Sequence, residues 1–198
     1  ENNYDSSLRH PVFTDVSKKA GILIEGHGLG VNITDINADG WKDIYISNDY
    51  ISNNVFYINN RDGTFTDRCA DILKHTSKNA MGNDIADINN DGLPDIIEMD
   101  MMPADNYRQK MMYSDINYQA FQNSDRYGYI YQYPRNTLQL NQGIAPDSTG
   151  LPAFSEIAYL AGVANTDWSW TPLLVDADND GFRDLLISNG LPRDMSDL

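Results

Sequence analysis

The sequence predicts an all-β protein made of four-stranded antiparallel blades of the β-propeller kind, present as a partial propeller or fragment with a mixed insertion in its second blade. Three observations carry this expectation. An acidic nine-residue loop occurs three times, strand-like runs flank each copy, and an aromatic marker stands at a fixed distance before each copy.

The loops are "DINADGWKD" (Asp35 to Asp43), "DINNDGLPD" (Asp87 to Asp95) and "DADNDGFRD" (Asp176 to Asp184), each reading D-x-[DN]-x-D-G-x-x-D. Before them stand "LGVNIT", "MGNDIA" and "WTPLLV"; after them come "IYISN", "IIEMD" and "LLISN". Short runs rich in β-branched residues and bounded by Gly, Asn and Asp read as strands. The marker is F-[ST]-[DE], at Phe13, Phe65 and Phe154, and each Phe lies 22 residues before the first Asp of the next loop. "NVFYINNRDGTFTD" reads as a hairpin turning at Asp62-Gly63. The unit is therefore strand, acidic loop, strand, strand, turn, strand, which is the periodic signature of propeller blades.

The expected layout is an outer strand of a preceding blade in 1–20, blade one in 27–69, blade two in 79–158 and a partial blade three in 165–198. Blade two is longer than blade one, and aligning "NVFYINN" with "NTLQLNQ" places most of the excess in an insertion at about 102–131. Pro103, Tyr107, Met111, Tyr118 and Phe121 fit part of an amphipathic helix. Tyr127, Tyr129, Tyr131 and Tyr133 follow at period two, which would put four rings on one face of a strand. The ordinary reading is that they pack the insertion onto its blade; the functional one is a platform for a partner or glycan.

The loop chemistry points to calcium, which takes six to eight hard oxygen ligands. Carboxylates or amides at positions 1, 3 and 5 converge as the chain curls, the Gly at position 6 permits the turn, position 7 offers a carbonyl and the Asp at position 9 closes the shell. Three Ca2+ sites are expected. The first comprises Asp35, Asn37, Asp39, Trp41 and Asp43. The second comprises Asp87, Asn89, Asp91, Leu93 and Asp95. The third comprises Asp176, Asp178, Asp180, Phe182 and Asp184. One such loop could be a plain Asx-rich turn; three at repeat spacing point to metal.

The second loop also satisfies the EF-hand pattern D-x-[DN]-x-[DN]-G-x5-E through Glu98. Its sisters carry Ile46 and Ile187 there, the flanks read as strands rather than helices, and Pro94 interrupts the loop. Glu98 is therefore expected not to be a ligand, and is left as an unexplained acid in a strand.

The composition excludes several classes. With 29 acidic residues against 14 basic and a net charge of −15, nucleic acid and anionic membrane surfaces are poor partners. No apolar run approaches the roughly 20 residues of a membrane-spanning helix. Cys69, the single cysteine, sits in "FTDRCADIL" as a small buried hydrophobe, and His10, His27 and His75 are scattered. No nucleophile–base set appears, so no enzyme is expected. The alternatives are a polysaccharide-acting enzyme, with Glu98 as one of a carboxylate pair, or a structural spacer.

"GHGLGVNITDINADGWKDIYISND" and "NAMGNDIADINNDGLPDIIEMD" resemble FG-GAP/VCBS repeats, the blades of integrin-alpha-type propellers. The longer string "NVFYINNRDGTFTD…AGV…TDWSWTPLLVDADNDGFRDLLISNG" is similar to cartilage acidic protein homologues, among them large bacterial secreted or surface proteins. The resemblance implies calcium-stabilised blades, a secreted or cell-surface location, and binding of a protein or glycan, as in cell adhesion, rather than catalysis. Two blades and part of a third leave open blade edges, so self-association is expected.

Overall fold

The computed structural model describes residues 2–50, 52–112, 118–147 and 149–190. Its main elements are two four-stranded antiparallel sheets. In the first, β3 (His27–Thr34), β4 (Asp43–Asp49), β5 (Val55–Asn59) and β6 (Phe65–Asp67) pair in chain order. In the second, β8 (Asn83–Ala86), β9 (Asp95–Glu98), β11 (Thr137–Ile144) and β12 (Pro152–Glu156) do the same. A third unit contributes β13 (Ser169–Val175) and β14 (Asp184–Asn189), and its expected end at 191–198 lies outside the described residues. The all-β class and the blade architecture are those the sequence predicts.

The region before blade one is a hairpin of two strands, β1 (Asn2–Asp5) and β2 (His10–Phe13), rather than a single strand. Asp5 accounts for its turn: the carboxylate accepts the N–H groups of Ser7 and Leu8 and the Ser7 hydroxyl. Such Asx turns compete well with a continued strand.

Residues paired across an antiparallel ladder share a face. Tyr45 pairs with Phe56, and their rings meet edge to face with centroids 5.2 Å apart. This face of blade one packs against Ile96 of blade two in a core completed by Ile36, Ile58, Cys69, Ile72 and Leu73. Cys69 opens the short helix α1 (Cys69–Ile72), and burial pushes its thiol well above its usual pKa. A second core joins blades two and three through Met81, Ile97, Met99, Leu138 and Leu174.

The glycines before the first two loops have a packing role. A Cβ on Gly30 would lie 2.9 Å from the Asn83 nitrogen, and one on Gly82 would lie 2.7 Å from the Trp170 carbonyl oxygen. Inner strands of neighbouring blades therefore meet backbone to backbone, an approach only glycine permits.

The insertion differs from its expected form. It holds two helices, α2 (Asn106–Met112) and α3 (Tyr118–Arg126), with 113–117 outside the described residues. The tyrosine run is not a strand with four rings on one face. Tyr127 lies in the turn that ends α3, where its N–H bonds back to Asn123 and Ser124, and only β10 (Gln132–Tyr133) is strand, parallel to β7 (Thr76–Ser77). The Ser124 carbonyl also takes the Tyr129 N–H, and Gly128 adopts a positive φ of 77°, so helix-end turn chemistry overrides the alternation.

Strand order fixes the ends. The acidic loops join the first and second strands of each blade, so they share one end. The insertion joins the second and third strands of blade two and therefore lies at the other end. There Ile130 N–H donates to Asn53 of blade one and Arg108 pairs with Asp167 before blade three, so the insertion spans all three units.

Candidate metal centres

The three loops fold alike, bond by bond. The N–H of position 5 donates to the carboxylate of position 1 at 2.9, 3.1 and 3.0 Å in Asp39, Asp91 and Asp180. The glycine N–H of Gly40, Gly92 and Gly181 donates to the second oxygen of that carboxylate at 2.8, 2.8 and 2.9 Å. The N–H groups of Trp41, Leu93 and Phe182 return to the position-5 carboxylate, each at 2.8 Å. Position 4 is left-handed in all three, with φ of 56°, 58° and 62° at Ala38, Asn90 and Asn179, and each glycine sits near 90°. The left-handed residues at positions 4 and 6 curl the chain so that its N–H groups turn back onto the carboxylates of positions 1 and 5.

In the first two loops the closing Asp stitches the loop to its blade. Asp43 accepts the Ile36 N–H from the loop and the Asn59 N–H from β5. Asp95 accepts Ile88 and Asn141 in the same way. Burial is the main cause that raises both pKa values, the main-chain bonds opposing it. Asp184, which is exposed, accepts the loop N–H of Ala177, the one such bond it makes among the described residues. At Asp39 burial pushes up, but the Trp41 N–H and the Arg61 guanidinium outweigh it and the pKa falls. Arg61 donates to Asp39 at 2.9 Å, a cation already leaning on the first loop.

In the third loop Asp176, Asp178 and Asp184 bring one carboxylate oxygen each within 4.8 Å of one another. Asp180 is not in that group; its carboxylate is turned to the Phe182 N–H. The first two loops carry Asn37 and Asn89 at position 3, where an amide oxygen takes the place of a carboxylate; the amide nitrogens donate to Asp39 and Asp91. Loops two and three touch, with Asn90 donating to the Gly181 carbonyl at 2.9 Å. The donor set is entirely oxygen and includes carboxylates, which fits a hard divalent cation. Asp35, Asp87 and Asp176, with their sisters at positions 3, 5 and 9, would hold it, and it would neutralise the acids of each loop. Trp41 and Phe182, expected as carbonyl donors, have exposed side chains, and their N–H groups bond to the position-5 carboxylates.

Glu98 is the residue sequence reasoning could not place. It is 0% exposed and turns away from the metal loop into the seam between blades. Its Oε2 accepts from Tyr45 (2.8 Å), Ser47 (2.8 Å) and Asn54 (2.6 Å), all of blade one, and its Oε1 accepts the Ser77 N–H at 3.0 Å. Burial, partly opposed by these donors, pushes its pKa up to about 7. Glu98 is fully buried, with both oxygens hydrogen-bonded to protein groups. The signal was present in its departure from Ile46 and Ile187; its blade-one partners, 44 to 53 residues away, were not visible.

A largely buried ion pair lies where the insertion meets blade two. Arg135 donates to Glu156 at 2.6 Å and lies 3.0 Å from His75 Nε2. Although burial raises the Glu156 pKa, bonds from His75, Arg135 and two main-chain N–H groups hold it far below the usual carboxylate range. Of the four tyrosines, Tyr127, Tyr131 and Tyr133 are exposed and Tyr129 half-buried. Phe121 of α3 stacks on Tyr131 and lies tilted against Tyr133, so part of this group packs the insertion together.

No helix among the described residues is long and apolar enough to cross a membrane. No curated protein matches the chain. Residues 35–97, from Asp35 of the first loop through the strand after the second, match the FG-GAP-like repeat family.

Proposed function

We propose that the chain is a calcium-binding β-propeller segment of a secreted or cell-surface protein, of the cartilage acidic protein kind, that recognises a protein or glycan and performs no catalysis. The observation that carries this reading is the threefold repetition of one oxygen-rich loop, with the same hydrogen bonds and the same two left-handed positions. Calcium is the fitting ion because such sites need many ligands and tolerate irregular geometry, whereas magnesium demands near-ideal octahedra. Its role is to clamp the first two strands of each blade, leaving the opposite end free for recognition.

Self-association is part of the same proposal, through faces as well as edges. Ile33 and Leu186 are exposed, while Ile85 and Ile97, at the same repeat positions in blade two, lie in the interblade cores. The two end units thus present surfaces that blade two covers with neighbours.

Calorimetric titration of chelator-stripped chain tests the metal reading. Three calcium equivalents are expected, with dissociation constants of roughly 10⁻⁴–10⁻³ M as for extracellular modules. Asp176→Asn should remove one of them. Absence of binding at 10 mM calcium, or equal affinity for magnesium, would contradict it.

A further inference from the structure

The end of the molecule opposite the acidic loops holds a cleft of about 430 Å³ between α2, β10 and the segment after β12. That volume lies within the roughly 300–1,000 Å³ of small-ligand sites. Tyr133 and Tyr159 line it, with the side chains of Gln109, Arg135 and Asn165. Tyr159 is 68% exposed and Tyr133 38%. Neither ring is loose. The Arg135 guanidinium carbon lies 4.7 Å from the Tyr159 ring centroid, so it occupies one face and leaves the other open. His75 meets Tyr133 edge-on with centroids 5.1 Å apart, and Phe121 lies tilted against it at 5.9 Å.

We propose that this cleft binds a neutral pyranose oligosaccharide. The inference rests on the recognition reading above and narrows its ligand. A pyranose presents C–H faces that pack on a tyrosine ring, and hydroxyls that both donate and accept. Gln109 and Asn165 are amides, which do the same. Gln109 uses its Nε2 on the Pro103 carbonyl at 2.7 Å, which fixes the side chain and leaves its oxygen to accept.

Charge selects against acidic ligands. Arg135 lines the cleft, but Glu156 already neutralises it at 2.6 Å, and the chain carries −15 overall. A phosphate, uronate or sulfated sugar would therefore meet no free cation here. Neutral sugars need none.

The ordered rings also matter energetically. A platform already held by Arg135, His75 and Phe121 loses little freedom on binding, which favours affinity for a weakly interacting ligand.

The test is titration of the calcium-loaded chain with neutral gluco-, manno-, galacto- and xylo-hexaoses, and with an oligogalacturonate as the acidic control. At least one neutral hexaose should bind, and Tyr159→Ala should weaken it by roughly tenfold or more, as removal of a central aromatic contact does. Asn165→Ala, which leaves the Arg135–Tyr159 stack in place, should weaken it severalfold. Calcium stoichiometry should be the same in all variants, since the loops lie at the other end; its loss in the wild type would instead count against the metal reading. Absence of binding by every neutral hexaose, preference for the oligogalacturonate, or unchanged affinity in both variants would overturn the proposal.

Discussion

Replacing Glu98 with Ala is expected to lower folding stability by about 4 kcal/mol, since it strands several buried donors at about 1–3 kcal/mol each and leaves a cavity. The donors are the Tyr45 and Ser47 hydroxyls, the Asn54 amide and the Ser77 N–H. Some relief is available, because the Asn54 amide also donates to the Tyr45 hydroxyl at 3.0 Å. The loss falls on the seam between blades one and two, so the two should come apart more readily than either unfolds. Denaturant unfolding of both proteins in saturating calcium measures it, and a loss below about 1 kcal/mol would show that the seam does not depend on this carboxylate.

The same residue sets a pH dependence of known sign. Its pKa is raised from 4.5 to about 7 on folding, so between those values the folded state holds a proton that the unfolded state has lost. Stability must then fall as pH rises across that window, by about 3 kcal/mol at 1.36 kcal/mol per unit, and level off above it. Glu156, shifted the other way, contributes stability that is lost only on acidification below the ordinary glutamate range. A scan from pH 5 to 8 in saturating calcium should therefore slope downward in the wild type and lie nearly flat for Glu98→Gln.

Removing calcium should have the larger effect on thermal stability. A ligand that binds only the folded state stabilises by about 2.7 kcal/mol at a hundredfold excess over its dissociation constant. One kcal/mol moves the melting temperature of a chain this size by about 2–4 °C, so a single saturated site gives a shift of about 5–10 °C. Three sites acting together give more. Asp43 and Asp95 each bond to a third strand, while among the described residues Asp184 bonds within its own loop. If the loops hold calcium as proposed, its removal from the first two should loosen contacts to β5 and β11 as well as the loops themselves. Melting in 10 mM calcium and in EDTA checks this, and coincident curves would contradict it.

The blades were legible because their signals are local and repeated. Alternating apolar runs, Asp-Gly turns and a constant Phe-to-loop spacing each act within a few residues, and repetition multiplied them. The shared fold of the three acidic loops was legible for the same reason, but what each carboxylate bonds to was not: Asp180 faces its own loop, and Asp43 and Asp95 fasten their loops to the blade. The insertion misled because its tyrosines have strand periodicity, while Gly128 and the end of α3 impose a turn that alternation does not report. Glu98 was visible only as a departure from its sisters. Its meaning lies in side chains of another blade, and pairing across blades leaves no trace in a single sequence. The cleft at Tyr159 was missed outright, since its walls come from α2, β10 and the segment after β12.

Diffraction from crystals grown in calcium, recorded where calcium scatters anomalously, tests the central claim most directly. Three peaks are expected, one in each acidic loop, with oxygens of positions 1, 3, 5 and 9 at about 2.3–2.6 Å and none near Glu98. Loops without a peak at saturating calcium, or a peak coordinated by Glu98, would contradict the account.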